Sequence, residues 1–171
     1  PCYFRMPSES MLPAMRFAIV EGGRLAPGTQ SLAVAPGGKN TFVETMDDER
    51  YLDARAFDWD VGEGGLLTRI VVQTGAAPAL SMARVRLAKG AKLRQFIFAE
   101  GAKLARIETH VAIEGEGAEV ELNGVYLCGD GRHADLTSTI THAHPNSQTR
   151  QLIKGVARKG GRGVFQGKIL V

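Results

Sequence analysis

The sequence predicts an all-β domain, and three observations support this prediction. Apolar residues recur at every second position along many short stretches, which is the period of a strand with one buried face. Glycine-bearing breaks separate these stretches, and the chain holds 21 glycines in 171 residues. A Gly-Ala-Lys or Gly-Ala-Glu tripeptide begins at residues 90, 101 and 117, which indicates a strand–turn–strand unit used several times.

The clearest strand lies at residues 105–114. Ile107, Val111 and Ile113 fall on one face of this stretch, and charged residues such as Glu108 fall on the other, so alternation alone predicts a half-buried strand. The same pattern predicts further short strands at 16–20, 31–34, 67–73, 80–87, 93–98, 119–127, 136–141 and 164–171.

Residues 47–57 are ambiguous. Acidic residues at the start and an arginine late in the stretch are typical of a short helix, but Tyr51 and Leu52 could equally begin a strand.

The tripeptide echo is ambiguous too, because its spacings of 11 and 16 residues are not a strict repeat. Stacked β-solenoid coils, an up-and-down barrel or a cupin-like roll would all echo in this way.

Composition excludes several classes of protein. A chain of this length with 44% hydrophobic and 23% charged residues is typical of one globular domain. No apolar stretch of about 18 residues predicts a membrane span, and the first ten residues carry no export signal. Two cysteines, Cys2 and Cys128, make no disulfide framework, so we expect a reduced compartment, the cytoplasm by default.

Three histidines are candidate metal ligands. His142 and His144 are two residues apart, so on a strand both would point to one face, with His133 or Asp135 as further ligands. Pro145 follows at once and ends the strand, so a turn with polar side chains is the favoured interpretation. Glu108 and His110 could likewise form an acid–base pair, but an ordinary polar outer face is favoured.

The positive charge is local. Six basic residues and no acidic one lie in residues 150–168; taking these six from the 21 Lys and Arg leaves 15, against 18 Asp and Glu elsewhere. Only Phe165 is aromatic there, so the mix of basic and stacking residues that single-strand binders use is absent. A charged edge that blocks unwanted sheet pairing is the alternative interpretation.

The stretch from residue 133 onward reads HADLTSTITHAHPNSQTRQLIKGVARKGGRGVFQGKILV. It resembles the SufB/SufD family of the SUF iron–sulfur cluster assembly machinery. The similarity is specific over about 40 residues and looser through 122–127 and 16–27, and the wording RGVFQGKI is closer to SufD than to SufB. The motif positions, which we expect to be structural or partner-facing, are Asp135, His142, Pro145, Ser147, Gln151, Lys154, Gly155, Gly163, Phe165, Gly167 and Lys168.

This resemblance implies a right-handed parallel β-helix. Residues 16–171 are then one solenoid core domain that ends before the family's last coils and C-terminal helical region, after a poorly structured segment at 1–15. The predicted interior includes Ile107, Val111, Ile113, Leu122, Ile140, Phe165 and Ile169.

The resemblance further implies a non-catalytic, SufD-like subunit of the cluster assembly scaffold and not an enzyme. Its partners would be a SufB-like paralogue and a SufC-like ATPase, with self-association through the terminal strand, and neither nucleic acid nor membrane. We expect no cofactor in this segment; an iron–sulfur cluster, with a flavin as a second option, belongs to the whole complex. The alternatives are a cupin-like metal-dependent enzyme using His142 and His144, and a basic nucleic-acid-binding module.

Overall fold

The computed structural model describes residues 29–171, and this part of the chain contains eleven β-strands and no helix. Most of these strands alternate inward apolar residues with outward polar residues, and glycine-bearing turns separate them. The strands are β1 Thr29–Val34, β2 Lys39–Met46, β3 Asp53–Val61, β4 Leu66–Gln73, β5 Ala79–Leu87, β6 Lys92–Ala99, β7 Ala105–Ile113, β8 Glu119–Cys128, β9 His133–His142, β10 Gln148–Ala157 and β11 Arg162–Leu170.

The strands alternate between two parallel sheets. Odd-numbered strands form a six-stranded sheet in the order β1-β3-β5-β7-β9-β11, and even-numbered strands form a five-stranded sheet in the order β2-β4-β6-β8-β10. Each coil therefore contributes one strand to each sheet, and a strand lies beside its equivalent one coil later. The predicted parallel β-solenoid is confirmed, and the barrel and roll alternatives are wrong because every neighbouring strand pair is parallel.

One stack of turns shows why glycine recurs. The turns that lead from the odd sheet to the even sheet place Gly37, Gly64, Gly90, Gly117 and Asn146 in equivalent positions, all with φ between 59° and 73°. A side chain with a Cβ strains this left-handed conformation, and asparagine tolerates it best. The N–H of each of the four glycines donates to a carbonyl in the next turn at 2.8–3.4 Å, so the turns are tied together along the solenoid.

The core lies between the two sheets. Five of the seven residues predicted for the interior are at most 2% exposed, and this part of the prediction is confirmed. They are Ile107, Val111, Ile113, Leu122 and Ile140.

The other two predicted core residues were wrong. Phe165 is 41% and Ile169 54% exposed. Their neighbours in β9 are Leu136 and Ile140, which are buried, so Phe165 and Ile169 occupy inward positions. They are exposed because β11 has a sheet neighbour on one side only in the described chain.

Some element predictions also need correction. Residues 47–52 form a loop and β3 follows, so the helix considered for 47–57 is wrong. Three strands went unpredicted, namely β2, β3 and β10. The strand predicted at 16–20 and the segment at 1–15 lie outside the described residues. Within 29–171, no helix is long and apolar enough to cross a membrane.

Candidate partner-binding site on the last coil

The motif residues gather in β9, β10, β11 and the turns between them. We call β10, the turn at 158–161 and β11 the last coil. Each of its two strands ends a sheet, β10 beside β8 and β11 beside β9. Among the described residues, the far edge of each strand therefore has backbone N–H and C=O groups without a neighbouring strand.

Two motif glycines make room for one aromatic ring. A Cβ on Gly155 or on Gly163 would overlap the ring of Tyr126, which packs with Ile153 against a buried cluster. Tyr126 of β8 thus occupies the space between the two strands of the last coil. Sequence reasoning missed Tyr126, because its fit depends on the register that sets Gly155 beside it, one coil later in the chain.

Polar motif residues also lie on the inner side of the last coil. Gln151 donates from Nε2 to Oγ of Ser138 at 2.8 Å, a bond that joins the two sheets across the interior. Gly167 would place a Cβ 3.2 Å from Cζ of Phe165 and 3.4 Å from Oε1 of Gln151. The inner side of the last coil is therefore closely packed around small and polar residues, with Phe165 at its open edge.

The candidate metal ligands do not come together. His142 and His133 stand at opposite ends of β9, about 30 Å apart by the rise of a ten-residue strand. His142 Nε2 lies 2.8 Å from Oγ1 of Thr149, and His144 is exposed in the following turn. Within residues 29–171, no group of three or more His, Cys, Asp or Glu side chains could hold a metal ion.

That turn is the fifth of the stacked series. Pro145 is exposed, and its carbonyl accepts from the Gly117 N–H and from Oγ of Ser147, each at 3.4 Å. Asn146 donates from Nδ2 to Oε1 of Glu116 at 2.6 Å. The histidine–proline stretch is therefore a turn with polar side chains, as the favoured interpretation predicted.

Asp135 belongs to an ionic network on the outer face of the odd sheet. Its carboxylate accepts from Nη1 of Arg106 at 3.1 Å and from Oγ1 of Thr137 at 3.2 Å. Arg106 also donates to Glu108, whose other oxygen lies 3.3 Å from Nε2 of His110. Burial opposes ionisation of Glu108, but the hydrogen bonds from Arg106 and His110 outweigh it and keep the pKa of Glu108 below its usual value.

The basic residues of the last coil differ from those of earlier coils. Several cations of earlier coils pair with a carboxylate one coil away, as Arg84 does with Asp58 at 2.6 Å and Lys92 with Glu119 at 2.9 Å. None of the six basic residues at 150–168 has a carboxylate within 4.0 Å among residues 29–171. They divide between the outer face of the even sheet (Arg150, Lys154), the turn (Arg158, Lys159) and β11 (Arg162, Lys168).

Large apolar side chains accompany these charges. They are 40–56% exposed, and they are Leu152, Val156, Phe165, Ile169 and Leu170. An edge strand that carries both unpaired backbone groups and apolar side chains can accept a further strand, whose main chain completes the hydrogen bonds while its side chains cover the apolar positions. The last coil therefore has the chemistry of a strand-accepting surface.

The fold places the chain in the class of parallel β-solenoids, which are built from stacked coils. The model of the SUF system FeS cluster assembly SufBD core domain matches residues 20–171. The chain belongs to the SufB/SufD family, and the resemblance drawn from its motifs is confirmed.

Curated relatives carry the same family description. An iron–sulfur cluster assembly SufBD family protein of Mycobacterium leprae is 30% identical over 99 residues, which is 54% of this chain and 25% of the relative. One from Mycobacterium tuberculosis is 34% identical over 76 residues, 44% of this chain and 19% of the relative. A second M. leprae protein of the family is 31% identical over 88 residues, which is 52% of this chain and 10% of the relative. The matched part thus spans a quarter or less of these relatives. No solved structure matches.

Proposed function

We propose that this chain is the core of a non-catalytic, SufD-like subunit of the cytoplasmic SUF complex that assembles iron–sulfur clusters. A role in cluster assembly follows from membership of the family. SufD is favoured over SufB because the wording RGVFQGKI is SufD-like, and because Cys128 is the only cysteine after position 2. Cys128 is buried, and burial raises the pKa of its thiol, which disfavours the nucleophilic thiolate.

The observation that carries the proposal is the match of the SufBD core domain over residues 20–171. We infer that a SufB-like paralogue adds a strand to β10 or β11 and covers Leu152 and Ile169, which are 56% and 54% exposed. A SufC-like ATPase would join the assembled pair. Self-association through the same edge would occur when the paralogue is absent, since an unpaired apolar edge accepts any compatible strand.

A subunit role without catalysis fits the polar groups of the outer face. Glu108 is engaged by Arg106 and His110, and Asp135 by Arg106 and Thr137. The hydrogen bonds of Glu108 lie within β7, and the Arg106–Asp135 bond joins β7 to β9. A general acid or base needs a free proton-transfer position, which these contacts occupy.

Binding to a SufB-like paralogue from the same genome tests the proposal. Leu152→Glu and Ile169→Glu should each weaken the complex at least about tenfold, because each places a carboxylate in the desolvated contact. Arg84→Gln, on the outer face of an earlier coil, is the matched control and should bind normally. Isothermal titration calorimetry gives the affinities. Absence of binding by the unaltered chain, or equal binding by all three variants, would count against the proposal.

A further inference from the structure

The outer face of the even sheet carries an apolar stripe that is centred on strands before the last coil. Along each even strand the inward residues are buried and the alternate residues point outward. Two neighbouring outward rows hold eight positions across four adjacent strands, and six of these are apolar; Thr45 and Asn123 are the exceptions. The stripe consists of Val43 of β2, Ile70 and Val72 of β4, Phe96 and Phe98 of β6, and Val125 of β8.

Phe96 shows that the stripe does not arise from a sheet end. It lies on β6, the middle strand of five, and it is 46% exposed while Gln95 and Ile97 on either side of it are buried. Both faces of a parallel sheet are usually covered, and contiguous exposed apolar patches mark interaction sites. An exposed phenylalanine at the centre of this face therefore indicates that something covers it.

Charged residues border the stripe where the strands begin. Lys92 and Arg94 of β6 face Glu119 and Glu121 of β8, with ion-pair distances of 2.9 and 3.9 Å. Beyond the other side of the stripe comes Glu100, the residue after β6. An apolar centre with a polar rim is the arrangement of a protein–protein interface.

We propose that the apolar stripe is the contact of a homodimer in which two even sheets pack face to face. The two-fold axis runs along the stripe, between the row of Phe96 and the row of Phe98, and the strands of the two copies are antiparallel. Phe96 of each copy then lies over Phe98 of the other. An isologous contact of this kind closes after two copies, and it is the commonest symmetry of soluble oligomers.

Charge complementarity favours a second copy over other occupants. Arg94 lies one outward position before Phe96, and Glu100 one outward position after Phe98. The same axis therefore sets Arg94 of each copy over Glu100 of the other, which gives two opposite-charge contacts. Arg94 has only the 3.9 Å contact with Glu121, and within residues 29–171 Glu100 has no cation within 4.0 Å.

The area of the face is adequate for a dimer. Five strands about 4.8 Å apart and about eight residues long, at roughly 3.3 Å per residue, give a flat area of roughly 600 Å². Side-chain relief adds to that value, and standard interfaces bury about 800 Å² per partner. The dimer goes beyond the proposed function, because it uses the outer face of the even sheet and leaves the strand edges of β10 and β11 free. Leu152 of β10 lies in the row of Phe96, at the margin of this face.

Sedimentation equilibrium of the full chain at micromolar concentration is the first test. In an Ile169→Glu background, which blocks self-association through the edge of the last coil, the chain should be a dimer. Adding Phe96→Glu should raise its dissociation constant at least about tenfold, since a central residue of the contact would become a desolvated charge. The β-sheet circular dichroism should be unchanged. Arg84→Gln, on the outer face of the odd sheet, is the matched control in the same background and should leave this dimer intact.

Charge reversal tests the antiparallel arrangement itself. Arg94→Glu and Glu100→Arg should each weaken the dimer by about fivefold, because each creates two like-charge contacts. The double variant Arg94→Glu/Glu100→Arg should restore the affinity. A monomeric chain, a dimer that Ile169→Glu dissociates and Phe96→Glu does not, a face covered only when another protein is present, or a double variant weaker than both single variants would each overturn the proposal.

Discussion

Arg69 and Glu44 form an ion pair of 2.7 Å in which neither side chain has any exposed surface. Arg69 also donates to Ser81 and Gln95 at 2.8 Å and to Thr109 at 3.4 Å. These four partners come from β2, β5, β6 and β7, so one guanidinium connects both sheets and successive coils. A buried charge is tolerated only with such compensation.

Arg69→Ala should lower the free energy of unfolding by about 3–5 kcal/mol, because it leaves Glu44 buried and unpaired. A double variant that removes both charged groups distinguishes the effect of the ion pair from the effect of lost packing. Arg69→Met/Glu44→Leu keeps most of the volume and should be near the unaltered chain in stability, within about 1–2 kcal/mol. Urea denaturation at neutral pH gives both values. A double variant as unstable as Arg69→Ala would show that the ionic contact is not the cause.

Asn146 provides the second prediction, because it holds a left-handed position that four glycines hold in earlier turns. Asn146→Ala should cost about 1–2 kcal/mol, the usual cost of that conformation for a residue with a Cβ. Asn146→Gly loses the same 2.6 Å bond to Glu116 but relieves the strain, so it should stay within about 0.5 kcal/mol of the unaltered chain, since exposed hydrogen bonds contribute little. The midpoints of urea denaturation measure both effects. An equal loss of stability in the two variants would assign the effect to the hydrogen bond.

Strands with regular alternation could be predicted from the sequence, and those without it could not. β7 alternates without a break and was predicted at its correct start. β10 places Thr149, Gln151 and Gly155 at inward positions, so its apolar period is lost. β3 begins inside an acidic stretch that is equally typical of a helix start. Both segments are strands because they pair with a strand 26–29 residues away, and such a contact leaves no local signal.

The position of the candidate site along the chain could be predicted from the sequence, but the contacts between its side chains could not. The motif located the last coil, and Pro145 correctly indicated a turn. Phe165 and Ile169 were assigned to the core because their alternation is that of inward residues, which they are; their exposure depends on what lies beside β11. The fit of Tyr126 against Gly155 and Gly163 depends on register between strands, which a single sequence does not contain.

Tyr126 and Gly163 provide the third prediction. Gly163→Ala should destabilise the chain by about 1–3 kcal/mol, because its Cβ would overlap the Tyr126 ring. In a Tyr126→Ala background the same change should cost much less, since the space is then open. The coupling energy from this double-mutant cycle should be at least about 1 kcal/mol. Additive effects would mean that Gly163 is needed for a reason other than the tyrosine.

Glu108 provides a pH prediction. Hydrogen bonds from Arg106 and His110 overcome the effect of burial and keep its pKa below the ordinary value of 4.5, so the unfolded chain binds more protons than the folded chain near that pH. The resulting stability is fully present above about pH 4.5 and is lost as the pH falls through the folded-state pKa. Arg106 is 43% exposed, so the contribution is at most about 1 kcal/mol. Urea midpoints from pH 7 to pH 3 should therefore fall less steeply for Glu108→Gln than for the unaltered chain, and parallel curves would show that Glu108 does not contribute to the acid sensitivity.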